Sequence, residues 1–187
     1  MNEKIIYLDN AASAPIRQEA IDSLISVLEN CYGNPSGAHK MARKARRLID
    51  DARDVLSFGL GCDPKEIIFT GGGTEADNLA IFGVHGTRGG TIIASATEHH
   101  AVLEPVQRLD GKLIRVSEDG SLDLGHLSSL MDEDVRLVSV GLVNGETGVI
   151  QDLEKIAEII KSQAPEALLH TDAVQAFPWL DVASSAK

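Results

Sequence analysis

The sequence predicts an α/β fold in which a mostly parallel sheet is flanked by helices. From residue 66 onward, short apolar segments of strand length alternate with amphipathic segments of helix length. Clusters of glycine and other turn formers, such as "GLGCDP" (59–64), separate these segments. Strands that alternate with helices form β-α-β units, whose strands run parallel. The 187 residues, 43% of them hydrophobic, are enough to build one sizeable core.

Residues 1–60 predict an N-terminal helical segment. Residues 5–8 form a short extended stretch, and a first helix is expected from residue 15 to about residue 31, where apolar side chains recur at helical spacing. The turn formers of "YGNPSG" (32–37) end that helix. A second, long helix is expected over residues 39–56, a stretch rich in alanine, arginine and lysine.

Residues 61–187 predict the α/β part of the same single domain. Strands are expected at 66–70, 91–95, 112–116, 136–141 and 167–171, and helices at 74–85, 100–109, 124–131 and 153–163. Ligands of such sheets bind beyond the carboxyl ends of the strands. This rule directs attention to the segments 70–74, 97–100 and 144–146 and to Asp172.

Composition excludes several classes of partner. The formal net charge of −11 argues against nucleic acid and anionic membranes. No stretch has the length of a membrane span, and the N-terminus has no secretory leader pattern, so we expect a cytoplasmic protein. Cys31 and Cys62 fit no metal or redox spacing, and we expect no metal site.

The segment "IIFTGGGTEADNLAI" (67–81) has the pattern of a strand, a glycine turn and a helix. Glycines let a ligand approach the backbone, and the unpaired N–H groups at a helix start favour an anion such as phosphate. Gly73 and Thr74 are the candidate contacts, since Thr74 adds a hydroxyl. The alternative is an ordinary tight turn in which Thr74 caps the helix.

His99 and His100 stand where a strand gives way to a helix. A histidine there can stack on a planar ring or shuttle protons. A capping or surface role is the alternative, and taken alone it is the commoner one. Asn144 and Glu146 offer hydrogen bonds in a polar turn, although a loop without a ligand is the simpler interpretation.

Asp172 ends the last predicted strand, and Gln175 follows three residues later. A carboxylate in such a place is costly unless a positive or donor group pairs with it. It is suited to lie beneath a protonated ring nitrogen, and Gln175 to reach the edge of the same ring. The alternative is that Asp172 caps a following helix.

Six segments in this order and at these separations resemble one family, the cysteine desulfurases of the NifS/IscS type. These are class V enzymes of fold-type I that use pyridoxal 5′-phosphate (PLP). The matching segments are "YLDNAASAP" (7–15), "GNPSGAH" (33–39), "IIFTGGGTEADNLAI" (67–81), "TEHHAVLEP" (97–105), "VNGETGVIQDL" (143–153) and "HTDAVQA" (170–176).

The resemblance implies a role for each candidate residue. Gly73 and Thr74 would bind the cofactor phosphate, and His99 would stack on the pyridine ring and act as an acid or base. Asp172 would pair with the pyridinium nitrogen, and Gln175 would hydrogen-bond the phenolic oxygen. The family converts L-cysteine to L-alanine, passes the sulfur to a protein cysteine as a persulfide, delivers it to an acceptor protein such as those of iron–sulfur assembly, and forms homodimers.

The sequence departs from the family in three ways. The Schiff-base lysine and the reactive cysteine of the family lie beyond Asp172, and neither Lys187 nor Cys31 nor Cys62 matches their context. Gly145 also stands where the family usually has an asparagine that contacts the ring, and Asn144 is the candidate to replace it through an altered turn.

We therefore expect residues 1–187 to form a partial fold-type I domain, the N-terminal part of a desulfurase, and to be inactive alone. The alternatives are half of a split enzyme, a selenocysteine lyase or another class V aminotransferase, and a vestigial or scaffold protein without activity.

Overall fold

The computed structural model describes residues 5–185 and divides the chain into two compact units. The first unit ends at Ile68 and the second begins at Phe69. The described part of the first unit contains helices alone, whereas the second contains the sheet and its flanking helices. That the two form a single partial transferase domain stays a prediction.

The first unit contains α1 (Gln18–Asn30), α2 (Lys40–Leu60) and a short 3-10 helix (Pro64–Glu66). Both predicted helices are confirmed, but α2 runs four residues further than the glycine cluster suggested. A helix interior tolerates Gly59 at modest cost. The helix ends instead at Gly61, whose φ of 68° is the left-handed conformation that glycine adopts without steric penalty.

The strand predicted at 66–70 is wrong. The side chain of Asp63 accepts a hydrogen bond from the Lys65 amide at 2.8 Å, and Glu66 accepts one from the Asp63 amide at 2.7 Å, which together fix a 3-10 turn. Residues 67–70 then pair with no strand in the part of the chain that the structure describes. A β-like composition makes a strand only where a neighbouring strand completes the ladder.

The second unit alternates helices and strands as predicted. Its elements are α3 (Gly73–Arg88), β1 (Thr91–Ser95), α4 (His100–Arg108), β2 (Lys112–Ile114), α5 (Leu124–Leu130), β3 (Val135–Ser139), α6 (Leu153–Gln163), β4 (Leu168–His170) and α7 (Val182–Ser185). The four strands form one parallel sheet in the order β2-β1-β3-β4. The α/β class is thus confirmed, with four of the five expected strands.

The core of this unit lies between the sheet and helices α3 and α4. One cluster contains Ile81, Ile92, Ala94, Val102, Val106 and Leu137, all at most 2% exposed. The last four residues of β1 are buried in succession, as expected for a parallel strand that is covered on both faces. This packing fixes the strands whose ends carry the candidate site.

The order of the sheet reverses between β1 and β3. From β1 the chain moves to β2 on one side, whereas β3 and β4 lie on the other side. A crevice at the carboxyl ends of two such strands is the usual ligand site of an open parallel sheet. Pairing of β3 with the β4 side continues past Ser139, since the Leu142 amide donates to the Asp172 carbonyl at 3.1 Å. The chain after β1, in contrast, turns away at Ser95.

Candidate functional site

The glycine turn leads directly into α3. Gly72 has φ 157°, and a Cβ added there would meet no atom within 4 Å, so the turn is open on that side. The first helical hydrogen bond runs from the Ala76 amide to the Gly72 carbonyl at 3.1 Å. The N–H groups of Gly73 and Thr74 precede it and have no acceptor within the helix. Both predicted phosphate contacts therefore stand in the first turn of a 16-residue helix.

The Glu75 side chain places a carboxylate at the start of α3. The Glu75 carboxylate accepts a hydrogen bond from the Gly71 amide at 2.6 Å. A negative side chain in the first turn is favoured by the helix dipole. Since Glu75 occupies the Gly71 amide, an external phosphate has the amides of Gly73 and Thr74 and the exposed Thr74 hydroxyl as its donors.

The start of α3 lies against the segment that follows β4. A Cβ added to Gly73 would come within 3.2 Å of the Val174 side chain. Val174 is the second residue after Asp172, and its amide donates to the Asp172 carboxylate at 2.9 Å. The structure thus brings Gly73 and Asp172, which are about a hundred residues apart in sequence, to the same edge of the sheet.

His99 is the N-cap of α4. Its Nδ1 accepts a hydrogen bond from the Ala101 amide at 3.1 Å, so the neutral ring carries its proton on Nε2. The capping alternative is therefore observed, and His99 is also exposed. The centroid of the His100 ring lies 3.8 Å from that of His99, with the planes tilted by 40°.

One carboxylate oxygen of Asp172 accepts a hydrogen bond from the Val174 amide, which differs from the helix cap that is the alternative interpretation. It caps a turn and no α-helix, because residues 174–179 form turns. A carboxylate has further acceptor capacity after one such bond. Asp172 is partly buried and its backbone carbonyl is fixed by Leu142, so the side chain is held at the end of the sheet.

Gln175 packs against Gly145. A Cβ added at Gly145 would stand 3.0 Å from Cγ and 3.2 Å from Cδ of Gln175, so the absence of a side chain there makes room for the glutamine. The side chain of Asn144 is engaged by neighbouring main-chain groups. Its Nδ2 donates to the Thr97 carbonyl at 2.9 Å, and its Oδ1 accepts from the Glu146 amide at 3.0 Å. Asn144 and Glu146 therefore organise their own loop.

Sequence reasoning missed two members of a carboxylate cluster, by which we mean Asp77, Glu98 and the predicted Asp172. Asp77 lies in α3 and is 4% exposed, while Glu98 lies in the loop after β1. Burial, together with the nearby Asp172, raises the pKa of Asp77 to about 6. Burial also raises the pKa of Glu98 to about 7, against the opposing hydrogen bond from Gly141, with Asp172 and Asp77 adding to the rise.

His170 adjoins the carboxylate cluster. Its Nε2 lies 3.7 Å from Oδ1 of Asp77, and its Nδ1 lies 2.9 Å from the Ser139 hydroxyl. Burial lowers the pKa of His170, although Asp172 opposes the change. Two signals could have revealed these groups. His170 and Asp172 have the two-residue spacing of one strand face, and Asp77 precedes the buried Ile81 by one helical turn.

Among residues 5–185, no group of three or more potential ligands could hold a metal ion. No helix in the same range is long and apolar enough to cross a membrane. Cys31 and Cys62 are both free thiols. Lys187 lies outside the described residues.

Comparison with known proteins points to one family. The model of the aminotransferase class-V family matches residues 6–185. The chain is 38% identical over 185 residues to the putative cysteine desulfurase IscS 1 of Bacillus subtilis, and the match covers 95% of this chain and 48% of that protein. The chain spans about half the length of the curated relatives it matches.

Solved structures agree. A NifS-like protein superposes with a TM-score of 0.86 at 35% identity, over 91% of this chain and 49% of that one. SspA in complex with cysteine superposes with a TM-score of 0.87 at 31% identity, over 94% of this chain and 52% of that one. The fold described above is therefore shared with these proteins.

Proposed function

Since the chain belongs to the aminotransferase class-V family, as the resemblance to cysteine desulfurases led us to expect, we propose that the gene product containing it is a PLP-dependent cysteine desulfurase. The reaction would remove sulfur from L-cysteine, leave L-alanine and form a persulfide on a protein cysteine. Two supports are the names of the curated relatives and the cysteine bound to SspA. A homodimer in the cytoplasm and an acceptor protein for the sulfur are part of the proposal.

The observation that carries this proposal is the meeting of three features at one sheet edge. They are the open turn before α3, the exposed ring of His99 after β1, and the carboxylate of Asp172 after β4. PLP carries a phosphate, an aromatic ring and a ring nitrogen, and each of these groups would contact one of the three features. The donors at Gly73 and Thr74 fit an anion, and the partly buried Asp172 fits a cationic nitrogen.

PLP, when bound, supplies an electron sink for the substrate carbon atoms. The role of Asp172 would be to hold a proton on the ring nitrogen through its negative charge, which favours the cationic ring. Gln175 would donate to the phenolic oxygen from its place on Gly145.

His99 would stack on one face of the PLP ring. Because its Nδ1 is occupied by the Ala101 amide, any proton that it exchanges with a reacting group must pass through Nε2. The cap therefore fixes both the orientation of the ring and the atom that would act as acid or base.

This chain would supply the cofactor cradle and not the whole chemistry. We assign no Schiff-base role to Lys187 and no persulfide role to Cys31 or Cys62. Those functions need an amine and a reactive thiolate elsewhere in the gene product. The 187 residues alone are accordingly proposed to be inactive.

The test is to express the complete gene product with PLP, record its visible spectrum, and measure alanine and sulfane sulfur formed from L-cysteine. We expect equal amounts of the two products. Alanine formation from selenocysteine with little from cysteine would instead indicate a selenocysteine lyase. A protein that binds no PLP would refute the proposal and favour a non-enzymatic role.

A further inference from the structure

The side chain of Glu98 links the ends of two neighbouring strands. Glu98 lies in the loop that follows β1, and its Oε1 accepts a hydrogen bond from the amide of Gly141, two residues beyond β3, at 2.7 Å. The two residues are 43 positions apart in sequence. The link crosses the point at which the order of the sheet reverses.

Successive main-chain amides of a strand in a parallel sheet point to opposite neighbours, which explains why the Gly141 amide needs an acceptor. Val140 donates to the His170 carbonyl at 2.9 Å and Leu142 donates to the Asp172 carbonyl at 3.1 Å, so both amides face the β4 side. The amide of Gly141 between them therefore faces the β1 side. The last pair of that ladder is Ala94 with Ser139, and β1 ends one residue later. The carboxylate of Glu98 takes the place of the missing strand carbonyl.

The contact is close on the Gly141 side. A Cβ added to Gly141 would lie 3.3 Å and 3.5 Å from the two oxygens of Glu98 and 3.7 Å from the carbonyl oxygen of Asp172. The carboxylate therefore packs directly on the main chain of Gly141. A second link joins the same loops, because Asn144 donates to the Thr97 carbonyl at 2.9 Å.

The groups that surround Glu98 are mainly acidic. Asp172, beyond β4, and Asp77, in α3, both act on its carboxyl, whose pKa is raised to about 7 chiefly by burial. Nε2 of His170 lies 3.7 Å from Oδ1 of Asp77, and burial lowers the pKa of His170. Burying a carboxyl group among other acids costs free energy of folding. The hydrogen bond from the Gly141 amide, which fixes the two strand ends, offsets part of that cost.

We propose that Glu98 is a positioning residue that sets the distance between His99 and Asp172. Glu98 is the neighbour of His99 in the chain, and Gly141 is the neighbour of Leu142, which holds the carbonyl of Asp172. The bond thus joins the loop that carries His99 to the strand end that holds Asp172. The presence of the PLP ring rests on the proposed function, whereas the hydrogen bond between Glu98 and Gly141 is present in the chain without any ligand.

The first test is hydrogen exchange of the Gly141 amide in the complete gene product without PLP. Glu98→Gln keeps a carbonyl acceptor and should leave the amide protected. Glu98→Ala and Glu98→Asp, which removes one methylene and keeps the charge, should raise its exchange rate by about tenfold or more. Glu104→Ala, a change at an exposed glutamate of α4, is the matched control and should change nothing.

Equal exchange in the parent protein, Glu98→Ala and Glu98→Asp would overturn the link, as would exchange in Glu98→Gln as fast as in Glu98→Ala. The Asp variant retains the charge and tests the link even if the Ala variant fails to fold.

The second test is the binding of PLP, followed by absorbance, together with the imidazole NMR signals of His99. In Glu98→Asp we expect affinity to fall about tenfold and the His99 signals to shift, whereas Glu98→Gln should stay within about threefold of the parent affinity. Unchanged affinity and unchanged His99 signals despite faster exchange would refute the positioning role. A parent protein that binds no PLP would refute the proposed function, and the exchange test of the link would still stand.

Discussion

The two ends of the candidate site are built from different parts of the chain. At the glycine turn, the donors are main-chain amides of Gly73 and Thr74, and the Thr74 side chain is exposed. At the carboxylate cluster, the groups are side chains brought together from α3 and from the ends of β1 and β4, and Asp77 is almost fully buried. One end is open backbone, and the other is a packed set of acids.

This difference predicts how each end responds to change. Helix geometry presents the amides of the turn whatever the side chains are, so side-chain substitutions there should have modest effects. The cluster depends on each carboxyl group and on its proton, because burial penalises every charge. Substitution and pH should therefore act mainly on the cluster.

The largest effect is expected from Asp172 in the complete gene product. Asp172→Asn keeps an oxygen that can accept from the Val174 amide, so it separates the charge from the local turn. We expect turnover of cysteine to alanine to fall by about a thousandfold in both Asp172→Asn and Asp172→Ala, since neither holds a proton on the ring nitrogen. Near-normal turnover in Asp172→Asn would remove the charge of Asp172 from the mechanism.

The pH dependence of stability should be the next largest effect. Burial raises the pKa of Glu98 from 4.5 to about 7 and that of Asp77 from 3.8 to about 6, so between pH 4 and pH 7 the folded state binds more protons than the unfolded state. Their contribution to the free energy of unfolding should therefore fall as pH rises through this window, by at most on the order of 6 kcal/mol, and level off above pH 7. His170, whose pKa is lowered, acts in the opposite direction below pH 6.5.

Chemical denaturation of the ligand-free protein across this pH range measures the effect. The double variant Asp77→Asn/Glu98→Gln should have a flatter profile, while Glu104→Gln at an exposed site should keep the slope. A double variant with the original slope would show that other groups cause it. The lowered pKa values of Asp119 and Asp152 act below pH 3.8 and lie outside this window.

The smallest effect is expected at the glycine turn. Thr74→Ala removes one hydroxyl donor but leaves the main-chain amides in place, so PLP affinity should fall only about threefold to tenfold. Thr74→Ser keeps the hydroxyl and should bind PLP as the parent does, measured by the same absorbance titration. A loss of a hundredfold or more in Thr74→Ala would show that the hydroxyl, and not the backbone, dominates phosphate binding.

Much of the second unit could be predicted because its signals are local. The helix of residues 153–163 and the strand of residues 91–95 have the predicted bounds, since apolar periodicity and glycine breaks determine them. The strand at 66–70 failed for a non-local reason. Its apolar composition is real, but a ladder needs a partner that residues 5–185 do not provide.

The candidate residues divide in the same way. Sequence reasoning selected His99 and Asp172 because each follows a strand that pattern locates, and it selected Gly73 because a glycine turn precedes a helix there. It overlooked Asp77 and treated Glu98 as one of several loop residues. Their raised pKa values come from burial and mutual proximity; the spacing of Asp77 and Ile81 indicates the burial of Asp77, but no spacing shows which carboxyl groups lie close together.

By itself, the sequence determined the alternation of helices and strands, the open glycine turn and the family to which the chain belongs, because these depend on short-range patterns of residues. The tertiary structure alone decided that β1 lies between β2 and β3, that Glu98 completes the ladder at Gly141, and that Gln175 fills the space left by Gly145. These contacts join residues that lie nineteen or more positions apart, and only the packing of the sheet selects which of them meet.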